Sequence, residues 1–178
     1  MLQFSKRQGR IKNCDPRILS VRYNVVDSLS KSNSFTHLIV GGSRGIGRSL
    51  VDQSIQAGQS LSVLSRTPPV EQSSGCTWIT GDAAKPEEFT DQLPEKINAL
   101  TFCPGKVILG PIRRLKAEQM LEAYQTSVLD AFTLVQALLP RLDGSVVFIS
   151  SVAATTGLPS HCAISAAKSG LEGFALAL

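Results

Sequence analysis

The feature that most constrains this chain is a short apolar run that ends abruptly in glycines. Thr36-His-Leu-Ile-Val40 reads as a buried strand and leads straight into Gly41-Gly-Ser-Arg-Gly-Ile-Gly47. A turn that tight marks a junction between a strand and a helix. Beyond it Ile46, Leu50, Val51, Ser54 and Ile55 recur at helical spacing until Gly58 stops them, and Leu61-Ser-Val-Leu64 reads as a second strand. The segment is a strand-helix-strand unit, so its two strands are expected to lie parallel.

The same alternation continues. A strand is expected around Cys76 to Ile79, a helix near Pro86 to Leu93 and a strand at Ala99 to Cys103, broken by Pro104-Gly105. Leu121, Tyr124, Val128, Phe132, Val135 and Leu139 keep a helical face from Ala117 until Pro140 ends it, which makes this the longest helix. Ser145-Val-Val-Phe-Ile149 is a further apolar strand, and a last helix is expected from about Ala163 to the final residue. Strands alternating with helices imply an α/β chain with a parallel sheet in a doubly wound, Rossmann-like fold.

Residues 36–178 are thus expected to form one domain, preceded by a basic arm at 1–35. Of the formal charge of +4, residues 1–34 carry +5 and the remaining 144 carry −1. The charge is therefore not spread over a nucleic-acid-binding face, and the arm reads as a flexible, solvated tail. With 43% hydrophobic and 18% charged residues an aliphatic core is expected. No apolar run approaches the roughly 18–20 residues that span a bilayer, and no signal sequence is evident, so neither membrane insertion nor export is expected. Cys14, Cys76, Cys103 and Cys162 are 62, 27 and 59 residues apart, without CxxC or a His at zinc spacing. They read as free thiols without assigned chemistry in a reducing, cytoplasmic setting, and no metal site is expected.

A glycine turn between a first strand and its helix aims backbone N–H groups and the positive helix end at one point, where a pyrophosphate fits. Val40-Gly-Gly-Ser-Arg-Gly-Ile-Gly47 resembles the TGxxxGxG segment of the short-chain dehydrogenase/reductase family, with Val40 in place of the usual Thr. Gly81-Asp82-Ala83 is similar to the segment whose Asp contacts adenine in that family. Phe102-Cys-Pro-Gly105 occupies the place of its Asn-Asn-Ala-Gly segment, and Ile149-Ser-Ser-Val152 resembles its catalytic-serine strand. The resemblance covers residues 36–178 and implies a nicotinamide dinucleotide held by Gly41, Ser43, Arg44, Gly45, Ile46, Gly47, Arg66, Asp82, Ala83 and Gly105. An acidic residue after the second strand would bind the ribose hydroxyls of NAD, but Leu64-Ser65-Arg66 stands there. Arg66 and Arg44 can clamp a 2′-phosphate through charge-assisted bonds of about 1.5–3 kcal/mol each, which favours NADP over NAD.

The resemblance also implies a Ser, Tyr, Lys set with an Asn on the long helix. Ser151 lies thirteen residues before position 164 and Lys168 four after it, but position 164 is Ile and Ser127 stands at the Asn position. Lys168 can hold the nicotinamide ribose, and Ser151 can bind a substrate oxygen. His161, three residues before Ile164, is a substitute proton donor with an ordinary pKa near 6.5.

The leading reading is an NADP-dependent oxidoreductase acting on a small carbonyl or alcohol. The alternative is a catalytically silent NADPH-binding sensor or partner protein, favoured by Ile164 and Ser127. A third is a shortened domain, because the apolar end Leu171 to Leu178 carries no cap and the family's last strands would follow it. The resemblance also implies homo-oligomerisation through helices 117–139 and 163–178.

Overall fold

The computed structural model describes the backbone of residues 2–4 and, in full, residues 35–68 and 74–178. The basic side chains of the expected arm, and Cys14, lie outside the described residues.

Six strands form one sheet: β1 (Leu2–Phe4), β2 (Thr36–Val40), β3 (Ser60–Ser65), β4 (Thr77–Thr80), β5 (Ile97–Phe102) and β6 (Leu142–Phe148), in the spatial order β1-β6-β5-β2-β3-β4. β2 to β6 are mutually parallel, whereas β1 pairs antiparallel with β6 on the outer edge, Leu2 opposite Phe148. A strand therefore forms at residues 2–4, inside the segment read as a solvated tail. The α-helices among the described residues are α1 (Gly45–Gln56), α2 (Ala117–Tyr124), α3 (Asp130–Leu138) and α4 (Cys162–Ala177).

The central strands are buried on both faces, which is why they read as continuous apolar runs. Along β2, Leu38 and Val40 face one core with Leu100, Phe102, Leu134 and Phe148, while Ile39 faces a smaller one with Val51, Leu61 and Val63 beneath α1. Each such aliphatic side chain contributes about 1.5–3 kcal/mol when fully buried. β2 pairs with β3 on one side and β5 on the other, so the chain direction of winding reverses at its end. In an open parallel sheet that reversal leaves a crevice at the carboxyl ends of the strands.

Two helices expected from the sequence take other forms. Pro86 to Leu93 is a pair of 3-10 turns, Pro86–Glu88 and Thr90–Gln92. Phe89 between them has φ −142° and is almost fully buried against Gly81, so its ring is fixed in the core at the expense of helical backbone. The long helix is not continuous: a π-helical turn at Gln125–Leu129 separates α2 from α3. The extra residue of a π turn shifts the faces on either side of it. Of the expected face, Val128 and Val135 are buried as expected, whereas Leu121, Tyr124, Phe132 and Leu139 are exposed, and Ala131, Leu134 and Leu138 fill the core beside the two valines.

Candidate functional site

The loops that follow β2, β3, β4 and β5 enclose a cleft of about 780 Å³. Its floor is the turn into α1. Arg44, the residue before the helix, is extended (φ −157°) and its side chain makes no capping bond, and the first turn holds no acidic residue. The leading N–H groups of the helix are thus left for a ligand, and they carry the positive end of its dipole. Gly41 (φ +81°) and Gly45 (φ +60°) take left-handed backbone that glycine adopts without strain. At Gly47 the reason is contact: a Cβ there would stand 2.3 Å from the Gly41 carbonyl oxygen. The turn is pinned at 2.8 Å by Gly41 N–H donating to the Leu64 carbonyl, and Cys103 N–H donates to the Val40 carbonyl at 3.0 Å.

Ser43, Arg44, Ile46 and Arg66 line the same cleft. Among the described residues neither Arg44 nor Arg66 is in an ion pair. By contrast Arg48, one turn along α1, is tied to Asp52. Across the cleft, Asp82 Oδ1 accepts from Ala84 N–H at 3.1 Å, so the loop after β4 is held by its own carboxylate, with Ala83 beside it.

Gly105 forms a further part of the wall, and two side chains meet behind it. A Cβ on Gly105 would lie 2.8 Å from Lys168 Nζ and 3.7 Å from Ser127 Oγ. Lys168 is 5% exposed and donates to the Pro104 and Ile149 carbonyls at 3.1 and 2.7 Å. Burial lowers its pKa from 10.5 to about 8, with the Cys103 thiol acting slightly in the other direction. Ser127, within the π turn, is fully buried and its Oγ has no hydrogen-bond partner. Burial pushes the Cys103 thiol up to about 11, which suits an unreactive thiol.

The remaining expected site residues stand apart from this cleft. Ser151 starts a 3-10 turn, where its Oγ accepts from Ala153 N–H at 3.2 Å, and its hydroxyl proton is left to donate elsewhere. The His161 ring nitrogen Nδ1 lies 2.6 Å from the Pro159 carbonyl at the start of α4. Ile164 is 3% exposed. Neither Ser151, His161 nor Ile164 is among the residues that line the cleft.

The cleft also contains residues the sequence reading passed over: Thr126 and Asp130. They stand one residue before and three after Ser127, in and just beyond the π turn, whose geometry the sequence spacing does not announce.

A family model described as short chain dehydrogenase matches residues 36–178. The chain belongs to the short-chain dehydrogenase/reductase family. Among curated members, the chain is 30% identical over 158 residues to carbonyl reductase family member 4 of Danio rerio. It is 27% identical over the same length to the 3-oxoacyl-[acyl-carrier-protein] reductase of Homo sapiens. Each match spans 79% of this chain and 66% of the relative, so the chain accounts for just under two thirds of those proteins. Among solved short-chain dehydrogenases, one from Francisella tularensis superposes with a TM-score of 0.70 at 18% identity, over 80% of this chain and 61% of the other. The aldohexose dehydrogenase of Thermoplasma acidophilum gives 0.70 at 20%, over 79% and 58%. These likenesses agree with the parallel sheet and flanking helices described above.

Proposed function

We propose that this chain binds NADP(H), in preference to NAD(H), in the cleft at the carboxyl ends of its strands, and that it is an oxidoreductase of a small carbonyl or alcohol. The observation that carries the reading is the uncapped N-terminus of α1, facing the cleft beneath Gly41, Gly45 and Gly47, with Arg44 and Arg66 at its rim in no ion pair among the described residues. The family binds nicotinamide cofactors, and both relatives described above are named as reductases.

When bound, NADPH supplies a hydride to the carbon of a carbonyl substrate. In this chain the N–H groups of α1 would hold the pyrophosphate, and Arg44 and Arg66 would hold the 2′-phosphate. The uncommitted third proton of the Lys168 ammonium is available to a ribose hydroxyl beyond Gly105, and the Ser151 hydroxyl to the substrate oxygen. Position 164 offers no group to protonate that oxygen. Ile164 is apolar, and loss of a positioned general acid lowers a rate by about 10²–10⁴-fold. The imidazole of His161, at the start of α4, would take that role, and it does so only by leaving its contact with the Pro159 carbonyl.

Titration of the folded chain with NADPH and NADH, read by energy transfer from Trp78, tests the cofactor assignment. Saturable binding with NADPH preferred is expected, and Arg66→Ala should lower NADPH affinity by about 10–100-fold while sparing NADH. Undiminished NADPH binding by that variant would remove Arg66 from the reading. The second reading is a silent NADPH-binding protein. It is favoured by Ile164 and distinguished by saturable binding without reduction of any small carbonyl. In either case the expected setting is cytoplasmic, and self-association through the exposed apolar side chains of α2 and α3 is expected.

A further inference from the structure

We propose that the loop 106–116 docks the chain on the surface of an anionic lipid bilayer, its apolar side chains entering the interface while its cations meet the headgroups. The segment Lys106-Val-Ile-Leu-Gly-Pro-Ile-Arg-Arg-Leu-Lys116 holds four cations and no acid. That local charge is hidden in the balance of the domain, since the 144 residues from 35 onward carry a net −1.

The loop displays its side chains in two directions. Ile108 and Leu115 pack, with Met120, against the buried Ala123 of α2 and Ala163 and Ala167 of α4. Between them the Gly110 N–H donates to the Ser160 carbonyl at 2.9 Å. With the loop pinned in this way, Val107, Leu109 and Ile112 are left outward, each more than half exposed and Ile112 at 72%. Arg113 and Arg114 follow Ile112 in a 3-10 turn and are exposed, as is Lys116. Lys106 pairs with Glu122 of α2, and Glu118 stands in the first turn of that helix. Arg113, Arg114 and Lys116 are in no ion pair among the described residues.

One exposed apolar side chain is ordinary, but three within six residues, set among unpaired cations, match a bilayer interface. There apolar groups settle at the acyl boundary and cations among anionic headgroups. An acidic protein surface would answer the cations and leave Val107, Leu109 and Ile112 uncovered, so the bilayer is the occupant that satisfies both. No described helix is long and apolar enough to cross a membrane, so the contact is peripheral. Val107 also lines the cleft, whereas Leu109, Ile112, Arg113 and Arg114 do not. Docking therefore turns one edge of the cleft to the lipid surface and leaves the cleft itself free.

The test is co-sedimentation of the full chain with vesicles of phosphatidylcholine alone or with about one third phosphatidylserine, at low salt. The wild type is expected to partition about tenfold or more in favour of the anionic vesicles. Reversing two charges, Arg113→Glu with Arg114→Glu, should lower that partitioning about tenfold or more. Leu109→Ser with Ile112→Ser leaves the charge unchanged and should still lower it severalfold, with circular dichroism showing both variants folded. Loss in the charge variant but not in the serine variant overturns the proposal in favour of an acidic protein partner. Partitioning that neither variant alters overturns it too, because the basic residues 1–34, common to every chain tested, would then be the cause. A folded wild type that ignores both vesicles, or takes to them equally, also overturns it. The assay contains no nucleotide, so its result and that of the NADPH titration are independent.

Discussion

At the scale of single residues the decisive position is 164. Its side chain is buried one helical turn before Lys168, and it carries no proton to give. Around it, the Lys168 ammonium is held by two carbonyls, and Ser151 Oγ accepts from Ala153 N–H. Ile164→Tyr is therefore expected to raise turnover of a small carbonyl by NADPH about 10²-fold or more, with NADPH affinity changed little. Steady-state rates and a binding titration on the same preparation check this, and equal rates for the two chains would place the defect elsewhere. Gly105 offers a contrasting single-residue prediction. Because a Cβ there would sit 2.8 Å from Lys168 Nζ, Gly105→Ala should displace the ammonium and weaken NADPH binding severalfold even though alanine introduces no new charge. Calorimetry with NADPH on a variant that retains its circular dichroism spectrum would detect it.

At the scale of elements, the parallel strands were legible because each is an apolar run bounded by turn residues, and the glycine turn because three backbone constraints coincide in seven residues. The helices were less legible, for a physical reason in each case. Nothing in the spacing of Leu121, Tyr124 and Phe132 announces a π turn, whose single extra residue turns that apolar row away from the core and brings Thr126 and Asp130 to the cleft. Phe89 looked like one apolar position of a helix but serves as a plug under Gly81. Likewise the meeting of Lys168 with Ser127 behind Gly105 joins three distant segments, which only the tertiary fold reveals. One element also carries a hidden acid sensitivity. His37, in the central strand β2, is buried with Nε2 2.8 Å from Thr101 Oγ1. Burial lowers its pKa to about 4, with a Gln59 hydrogen bond opposing. The folded chain thus takes up this proton later than the unfolded chain, whose His has a pKa near 6.5. Its contribution is complete above about pH 6.5 and is lost as pH falls toward 4, up to about 3 kcal/mol. Urea melts from pH 7 to pH 4 should show this loss, and His37→Gln should have a shallower pH dependence over that window. Parallel slopes would mean that His37 is solvated more than its surroundings suggest.

For the whole molecule, the same π turn that serves the cleft prepares an outer surface. Leu121, Tyr124, Leu129, Phe132 and Leu139, from α2 through the π turn to the end of α3, are each at least 40% exposed. Single exposed apolar side chains are ordinary, but five along one pair of helices form a patch of the kind that marks contact with another protein. Phe132 is not idle within its own chain either, since its ring packs edge-on against Phe174 of α4 with centroids 6.1 Å apart. Helix α4 also carries Lys168, so a second copy seated on this surface would bear on the element that holds that lysine. Self-association and cofactor affinity are therefore expected to be coupled, with more NADPH bound at protein concentrations where the assembly forms. Leu121→Glu, chosen because Leu121 is 69% exposed and outside the cleft, should shift the chain to monomer in analytical ultracentrifugation at micromolar concentration and lower NADPH affinity severalfold. A monomeric variant with unaltered affinity would show that the two are independent, and a wild-type chain already monomeric at that concentration would leave the exposed patch to a different partner.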